Sequence, residues 1–101
     1  MQLNNQQINE IIKYFETKPV LKAYVFGSVA RNEATNSSDI DILVDLDYSK
    51  RIGLLFVQMK FDLEKILRKP VDLISSNALS KYIKPIVEKE KKLIYVSKSE
   101  G

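Results

Sequence analysis

The run Asp39-Ile40-Asp41-Ile42-Leu43-Val44 constrains this chain most, because acidic and apolar residues alternate in it with a period of two before the run turns wholly apolar. Side chains alternate faces along a β-strand, whereas a helix would scatter these residues around its axis. The run predicts a strand over Ile40–Val44, with Ile40, Ile42 and Val44 turned into a core and Asp39 and Asp41 side by side on the other face. Two carboxylates so placed repel each other unless a cation lies between them. Upstream, the apolar run Leu21–Phe26 reads as a second strand, and Gly27-Ser28 as a strand-to-helix turn. Free backbone N–H groups and the helix dipole at such a turn favour an anion. A phosphate next to a metal is the chemistry this pairing suggests.

Composition limits the metal. The chain has no His and no Cys, so zinc or copper sites built on imidazole or thiolate are excluded. Oxygen ligands remain, and a divalent ion held by carboxylates together with substrate phosphate oxygens is the usual arrangement for Mg²⁺. The same absence removes a histidine base, a cysteine nucleophile and any Ser-His-Asp triad, which leaves a carboxylate as the general base.

With 101 residues, 45% of them hydrophobic, the chain is expected to form a single domain over residues 1–101. No apolar run approaches the length of a membrane span, and the polar start Met1-Gln2-Leu3-Asn4-Asn5 does not read as a signal peptide. A soluble cytoplasmic protein is the expectation, and the lack of Cys agrees with it. The net charge is +3, with lysines gathered late at Lys81, Lys84, Lys89, Lys91, Lys92 and Lys98. Glu88 and Glu90 interleave with them, so this segment reads as a solvated helix face rather than a stripe that binds nucleic acid.

Along the chain, helical and extended segments alternate. Ile8, Ile11, Ile12 and Phe15 recur at helical spacing and predict a helix over about residues 5–17, stopped before Pro19. A short helix after Ser28 leads through the polar loop Thr35-Asn36-Ser37-Ser38 into the acidic strand. Residues 51–68 predict the longest helix, ended before Pro70, and Val71-Asp72-Leu73-Ile74 a third strand. Asn77 is placed to cap a short helix, Pro85 suits the first turn of a last helix through about Lys91, and Leu93–Val96 reads as an edge strand. The order is α/β (α+β): a small mixed sheet of about four strands flanked by helices.

If Val71 and Leu73 face the core, Asp72 faces the other way, and a neighbouring strand would bring it beside Asp39 and Asp41. An isolated D-x-D is a weak signal and is often a solvated strand start. Combined with Gly27-Ser28, Arg31 and an apolar-flanked Asp72, it is difficult to obtain by chance.

Through Gly27, Ser28, Arg31, Ser38, Asp39, Asp41 and Asp72, the sequence resembles the minimal nucleotidyltransferases of the DNA polymerase β-like superfamily, whose signature is G-S-x-x-R followed by S-D-x-D. The element order fits that nucleotidyltransferase fold over nearly the whole chain. The resemblance implies transfer of a nucleoside monophosphate, usually AMP from ATP, with release of pyrophosphate. Asp39 and Asp41 would hold Mg²⁺, expected as two ions, and Asp72 would complete the site. Many relatives carry Gly where this chain has Asn32, a departure that leaves the metal ligands untouched.

Within that resemblance, catalysis would be mostly positioning and neutralisation of charge. Asp72 can bind the second metal and accept the proton of the incoming hydroxyl. Ser28 and the N–H groups after it can bind the β- and γ-phosphates. Arg31 can reach the same anion or pair with Glu33 or Asp39. Ser38 suits a turn hydroxyl, and Glu33, Asp45, Asp47 and Asp62 read as surface charges.

Larger relatives hold their acceptor with an added domain, so here the acceptor site would be completed by another chain. On the long helix, Ile52, Leu55, Phe56, Met59, Leu63, Ile66 and Leu67 form one stripe, while Leu54, Val57 and Phe61 fall on nearly the opposite side at about 100° per residue. Either another helix covers this second side, or it is an interface with a partner or a second copy. The resemblance implies a HEPN-domain ribonuclease toxin as the partner, with the enzyme as an antitoxin that adenylylates a tyrosine on it. Two alternatives stand beside it: neutralisation by contact without catalysis, and transfer to a small molecule or an RNA end.

Overall fold

In a computed structural model, which describes residues 3–33, 35 and 38–98, helices and strands alternate as the polarity pattern requires. Helix α1 covers Asn5–Phe15. The Asn4 side chain accepts from the Gln7 N–H at 2.8 Å while Gln7 Oε1 accepts from the Asn4 N–H at 3.0 Å, a reciprocal cap that satisfies two N–H groups at the helix start. The helix stops two residues earlier than expected, and a turn in which the Lys18 N–H donates to Phe15 O leads into Pro19. Strand β1 is Val20–Phe26, helix α2 Gly27–Ala30, strand β2 Ile40–Leu46, helix α3 Leu55–Leu67 and strand β3 Val71–Ser75. A 3-10 turn at Ser76–Ala78, helix α4 at Lys84–Glu90 and strand β4 at Lys92–Val96 follow.

Two expected elements differ. Helix α3 begins at Leu55 rather than near residue 51, because Gly53 adopts φ +46° and the chain makes a separate turn, with the Leu55 N–H on Ile52 O at 2.9 Å. Asn77 lies inside the 3-10 turn instead of capping a helix, and the preceding Ser75 makes no side-chain cap there. Pro85 falls in the first turn of α4, where its missing N–H is harmless. Of the polar loop before β2, Asn36 and Ser37 lie outside the described residues.

The strand order is β3-β2-β1-β4, so β4 is an edge strand. Strand β1 is antiparallel to both β2 and β4, whereas β2 and β3 are parallel. A parallel pair needs a long crossover, which α3 supplies. The Ile40 N–H donates to Pro70 O at 3.0 Å and pins the start of β2 to the residue before β3, while the Val71 N–H donates to Glu64 Oε2 at 2.9 Å and ties the start of β3 to α3.

One face of the sheet carries the core. Ala23 and Val25 of β1, Ile40, Ile42 and Val44 of β2, and Val71 and Leu73 of β3 are buried with Ile11 and Phe15 of α1 and Met59, Leu63 and Leu67 of α3. Each fully buried aliphatic or aromatic side chain contributes about 1.5–3 kcal/mol of transfer free energy. Ile52, Leu55, Phe56 and Ile66 pack on this cluster partly buried, so the first α3 stripe is core as expected. Asp62, expected from sequence as a surface charge, also accepts from Tyr14 Oη at 2.5 Å and from Gln58 Nε2 at 2.8 Å, tying α3 to α1. Leu43, of the opposite parity on β2, is also buried but stands outside the main cluster, as does Val87 of α4. Among the described residues, no helix is long and apolar enough to cross a membrane.

Candidate active site

The alternation on β2 leaves Asp41 half-buried on the face away from the core. Parallel pairing sets Asp72 directly opposite Asp41, and the antiparallel partner of Asp41 on the other side is Phe26, the last residue of β1. Asp39 precedes the first residue of β2 and is exposed, as is Asp72. The three acids therefore form a row at the end of the sheet where β1 hands over to α2.

Gly27 makes that hand-over. Its φ is +68°, in the left-handed region that favours glycine. A Cβ there would overlap Oδ2 of Asp41 and lie 3.2 Å from its Cγ, so the carboxylate rests against glycine backbone in space no side chain could share. Helix α2 has only four residues, so its macrodipole is slight, and what it offers an anion is the unsatisfied N–H groups of its first turn. The Ser28 hydroxyl makes no hydrogen bond to another described residue. Asn32 has φ +59°, a left-handed conformation that Asn tolerates better than most residues. The Ser38 hydroxyl accepts from the Thr35 N–H at 2.8 Å and closes the turn before β2.

The electrostatics are strained in the direction a cation would relieve. The Asp41 carboxyl is held above its ordinary range, first by burial, then by the charges of Asp72 and Asp39, with Arg31 opposing. Among the described residues, no three acidic or other ligating side chains are gathered closely enough to hold an ion by themselves. An open row of this kind matches Mg²⁺ better than a closed cage would, because that ion is held by a few carboxylates and completed by phosphate oxygens and water. The donor set is all oxygen, and the residues fit the group.

Of the two partners weighed for Arg31, the structure gives Glu33, with Nε at 3.4 Å, and not Asp39. Its shorter contact, Nη1 to Glu90 Oε1 at 2.9 Å, reaches across to the end of α4. By sequence Glu90 is one of the charges on a solvated helix face, and a separation of 59 residues carries no local signal for this pairing. Glu90 also adds to the negative field on Asp41. The ridge Leu54, Val57 and Phe61 stays open to solvent, at 86%, 47% and 51% exposure.

The chain matches the family described as Polymerase beta, Nucleotidyltransferase over residues 9–100. It is 39% identical over 80 residues to a candidate protein adenylyltransferase of Methanocaldococcus jannaschii, covering 79% of this chain and 85% of that one. It is likewise 39% identical over 72 residues to the protein adenylyltransferase MntA of Thermococcus cleftensis, covering 71% and 70%. Its fold resembles a toxin-antitoxin crystal structure with AMP-PNP at a TM-score of 0.74, with 21% identity over 97% of this chain and 77% of that one. It resembles the tri-AMPylated Shewanella oneidensis HEPN toxin in complex with its MNT antitoxin at 0.69, with 21% identity, covering 97% and 76%.

Proposed function

The chain belongs to the polymerase β nucleotidyltransferase family, and from that premise we propose that it transfers AMP from ATP to a tyrosine hydroxyl of a HEPN-domain toxin and thereby acts as an antitoxin. The observation that carries this reading is the register pairing of Asp41 with Asp72 beside the Gly27 turn. Relatives at similar identity are named protein adenylyltransferases, and one solved neighbour is an antitoxin bound to a HEPN toxin carrying three AMP groups.

In this reading Asp39 and Asp41 hold Mg²⁺, expected as two ions, with Asp72 as the third ligand. The metal, when bound, neutralises the triphosphate and the charge that develops as the α-phosphorus changes partners. Gly27, Ser28 and the first N–H groups of α2 seat the β- and γ-phosphates, with Arg31 on the same anion. Asp72 takes the proton of the attacking hydroxyl as its oxygen bonds to the α-phosphorus. The bond from that phosphorus to the bridging oxygen breaks, and pyrophosphate leaves. Ser38 fixes the loop that leads into Asp39. The acceptor is carried by the partner, and the exposed ridge Leu54, Val57 and Phe61 is the proposed contact surface.

The test is incubation of the chain with labelled ATP, Mg²⁺ and the HEPN-domain toxin proposed as its partner. Label on the toxin, lost with Asp39→Asn/Asp41→Asn, supports the reading; no label on the toxin, or full transfer by that variant, overturns it. The open apolar ridge also favours a second reading, neutralisation by contact, in which the double variant would protect as well as wild type.

A further inference from the structure

Arg31, the arginine proposed for the phosphates, is not left to find its position by itself. Its Nη1 donates to Glu90 Oε1 at 2.9 Å, and its Nε lies 3.4 Å from Glu33. The two carboxylates differ in support. The Glu33 side chain is 63% exposed, whereas that of Glu90 is 24% exposed. Glu90 is the last residue of α4, a helix that packs against α2. The next residue, Lys91, pairs with Glu88 at 2.9 Å and lies over the Tyr24 ring of β1 with its Nζ 4.2 Å from the centroid. The end of α4 is thus fastened to the sheet, and Glu90 is presented from a fixed support.

A guanidinium has five N–H donors in a planar fork. Glu90 takes a donor on Nη1 and Glu33 the one on Nε, so Nη2 makes no bond to the described residues. Holding the acids and donating to a phosphate are therefore compatible. A free arginine side chain loses considerable rotamer freedom when it binds an anion, and one already held by a carboxylate loses less. We propose that Glu90 is the positioning residue for Arg31, holding the guanidinium against the end of α4 with Nη2 left for the phosphates of a nucleoside triphosphate. This rests on the reading of the chain as an ATP-using nucleotidyltransferase.

Direct titration of the intact chain with ATP and Mg²⁺, without acceptor, tests the idea. Glu90→Ala is expected to weaken ATP binding about ten-fold, the size of one charge-assisted hydrogen bond. Glu90→Gln, whose amide oxygen still accepts, restores part of it, and Glu33→Gln costs less than Glu90→Ala. The decisive readout is Arg31→Ala/Glu90→Ala, which should bind no more weakly than Arg31→Ala alone; a merely structural Glu90 would make the two losses add. Unchanged binding by Glu90→Ala, or additive losses, overturns the proposal. If Glu90→Ala melts early, the isosteric Glu90→Gln in the same pairing with Arg31→Ala decides by the same criterion. A wild-type chain that fails to bind ATP with Mg²⁺ sinks both the ATP-using reading and this inference, whereas a wild type that binds beside an equally tight Glu90→Ala sinks this inference alone.

Discussion

Asp41 and Asp72 are register partners across the parallel strands β2 and β3, so two like charges are held at neighbouring backbone positions by the same ladder that builds the sheet. The fold tolerates this because Asp72 is exposed, while Asp41 bears the burial. Like charges held together without a compensating cation carry a cost that should be measurable.

Asp41→Asn removes the buried charge while keeping the shape. Because the Asp41 carboxyl is raised in the folded chain, the native state binds a proton there that the unfolded state has already lost. Stability of the metal-free chain therefore falls as pH rises from the ordinary aspartate value through the raised one, and Asp41→Asn should flatten that fall. At neutral pH the variant should melt a few degrees higher than wild type without metal, as followed by circular dichroism. Mg²⁺ competes with the proton, so its affinity for wild type should rise with pH through the same window. Added Mg²⁺ and ATP should stabilise wild type and not the variant, and AMP transfer should fall at least about a hundred-fold. Removal of divalent metal by EDTA should abolish transfer by wild type and be reversed by Mg²⁺.

Gly27→Ala strikes the same carboxylate from the other side. The added Cβ would overlap Asp41 Oδ2, and φ of +68° is unfavourable for any side chain. The conformation alone costs about 1–2 kcal/mol. Urea denaturation should show a loss of that order or somewhat more, since Asp41 must also move. Transfer activity should fall further than the remaining folded fraction explains, because the displaced group is a proposed metal ligand.

Arg68 ends α3 in a left-handed conformation, φ +56°, with its N–H on Glu64 O at 2.8 Å. Glycine commonly occupies such a position, since it meets no Cβ penalty there. Arg68→Gly should therefore stabilise the chain by about 0.5–1 kcal/mol, read as a higher urea midpoint at an unchanged slope, with transfer unaffected.

The acidic row was legible because period-two alternation fixes facing before any contact is known: Asp41 and Asp72 follow from the apolar residues on either side of them. The helix stop before Pro70 and the Pro85 start were legible through covalent constraints on φ. What escaped was conformational or distant. Gly53 moves the start of α3 because it takes a positive φ, which a glycine permits and does not announce. Asp62 reaches Tyr14 across 48 residues and Arg31 reaches Glu90 across 59, and such pairings depend on how α1 and α4 land on the sheet. The lone signal for Glu90 was its place at the end of the last helical segment, just before the edge strand. Asn32 takes φ of +59°, a conformation that Gly adopts freely and that Asn tolerates better than most side chains.

In the proposed function, the outer ridge of α3 is the surface that meets the acceptor's chain. Leu54 and Phe61 are 86% and 51% exposed, and none of the described helices covers them. Lys60 Nζ lies 5.8 Å from the Phe61 ring centroid, so the ridge is apolar with a cation at its side. Leu54→Asp together with Phe61→Asp removes exposed apolar surface and no core contact, so stability should change by no more than about 0.5 kcal/mol per site. Desolvating two carboxylates in an interface is costly, and association with the HEPN partner or with a second copy should be lost on size-exclusion chromatography. ATP binding should be unchanged, because the ridge lies on a different element from the acidic row. If the complex elutes as before, the acceptor docks elsewhere. If the complex is lost while Asp41→Asn, still fully associated, fails to protect against the toxin, contact and chemistry are separable, and chemistry is what neutralises.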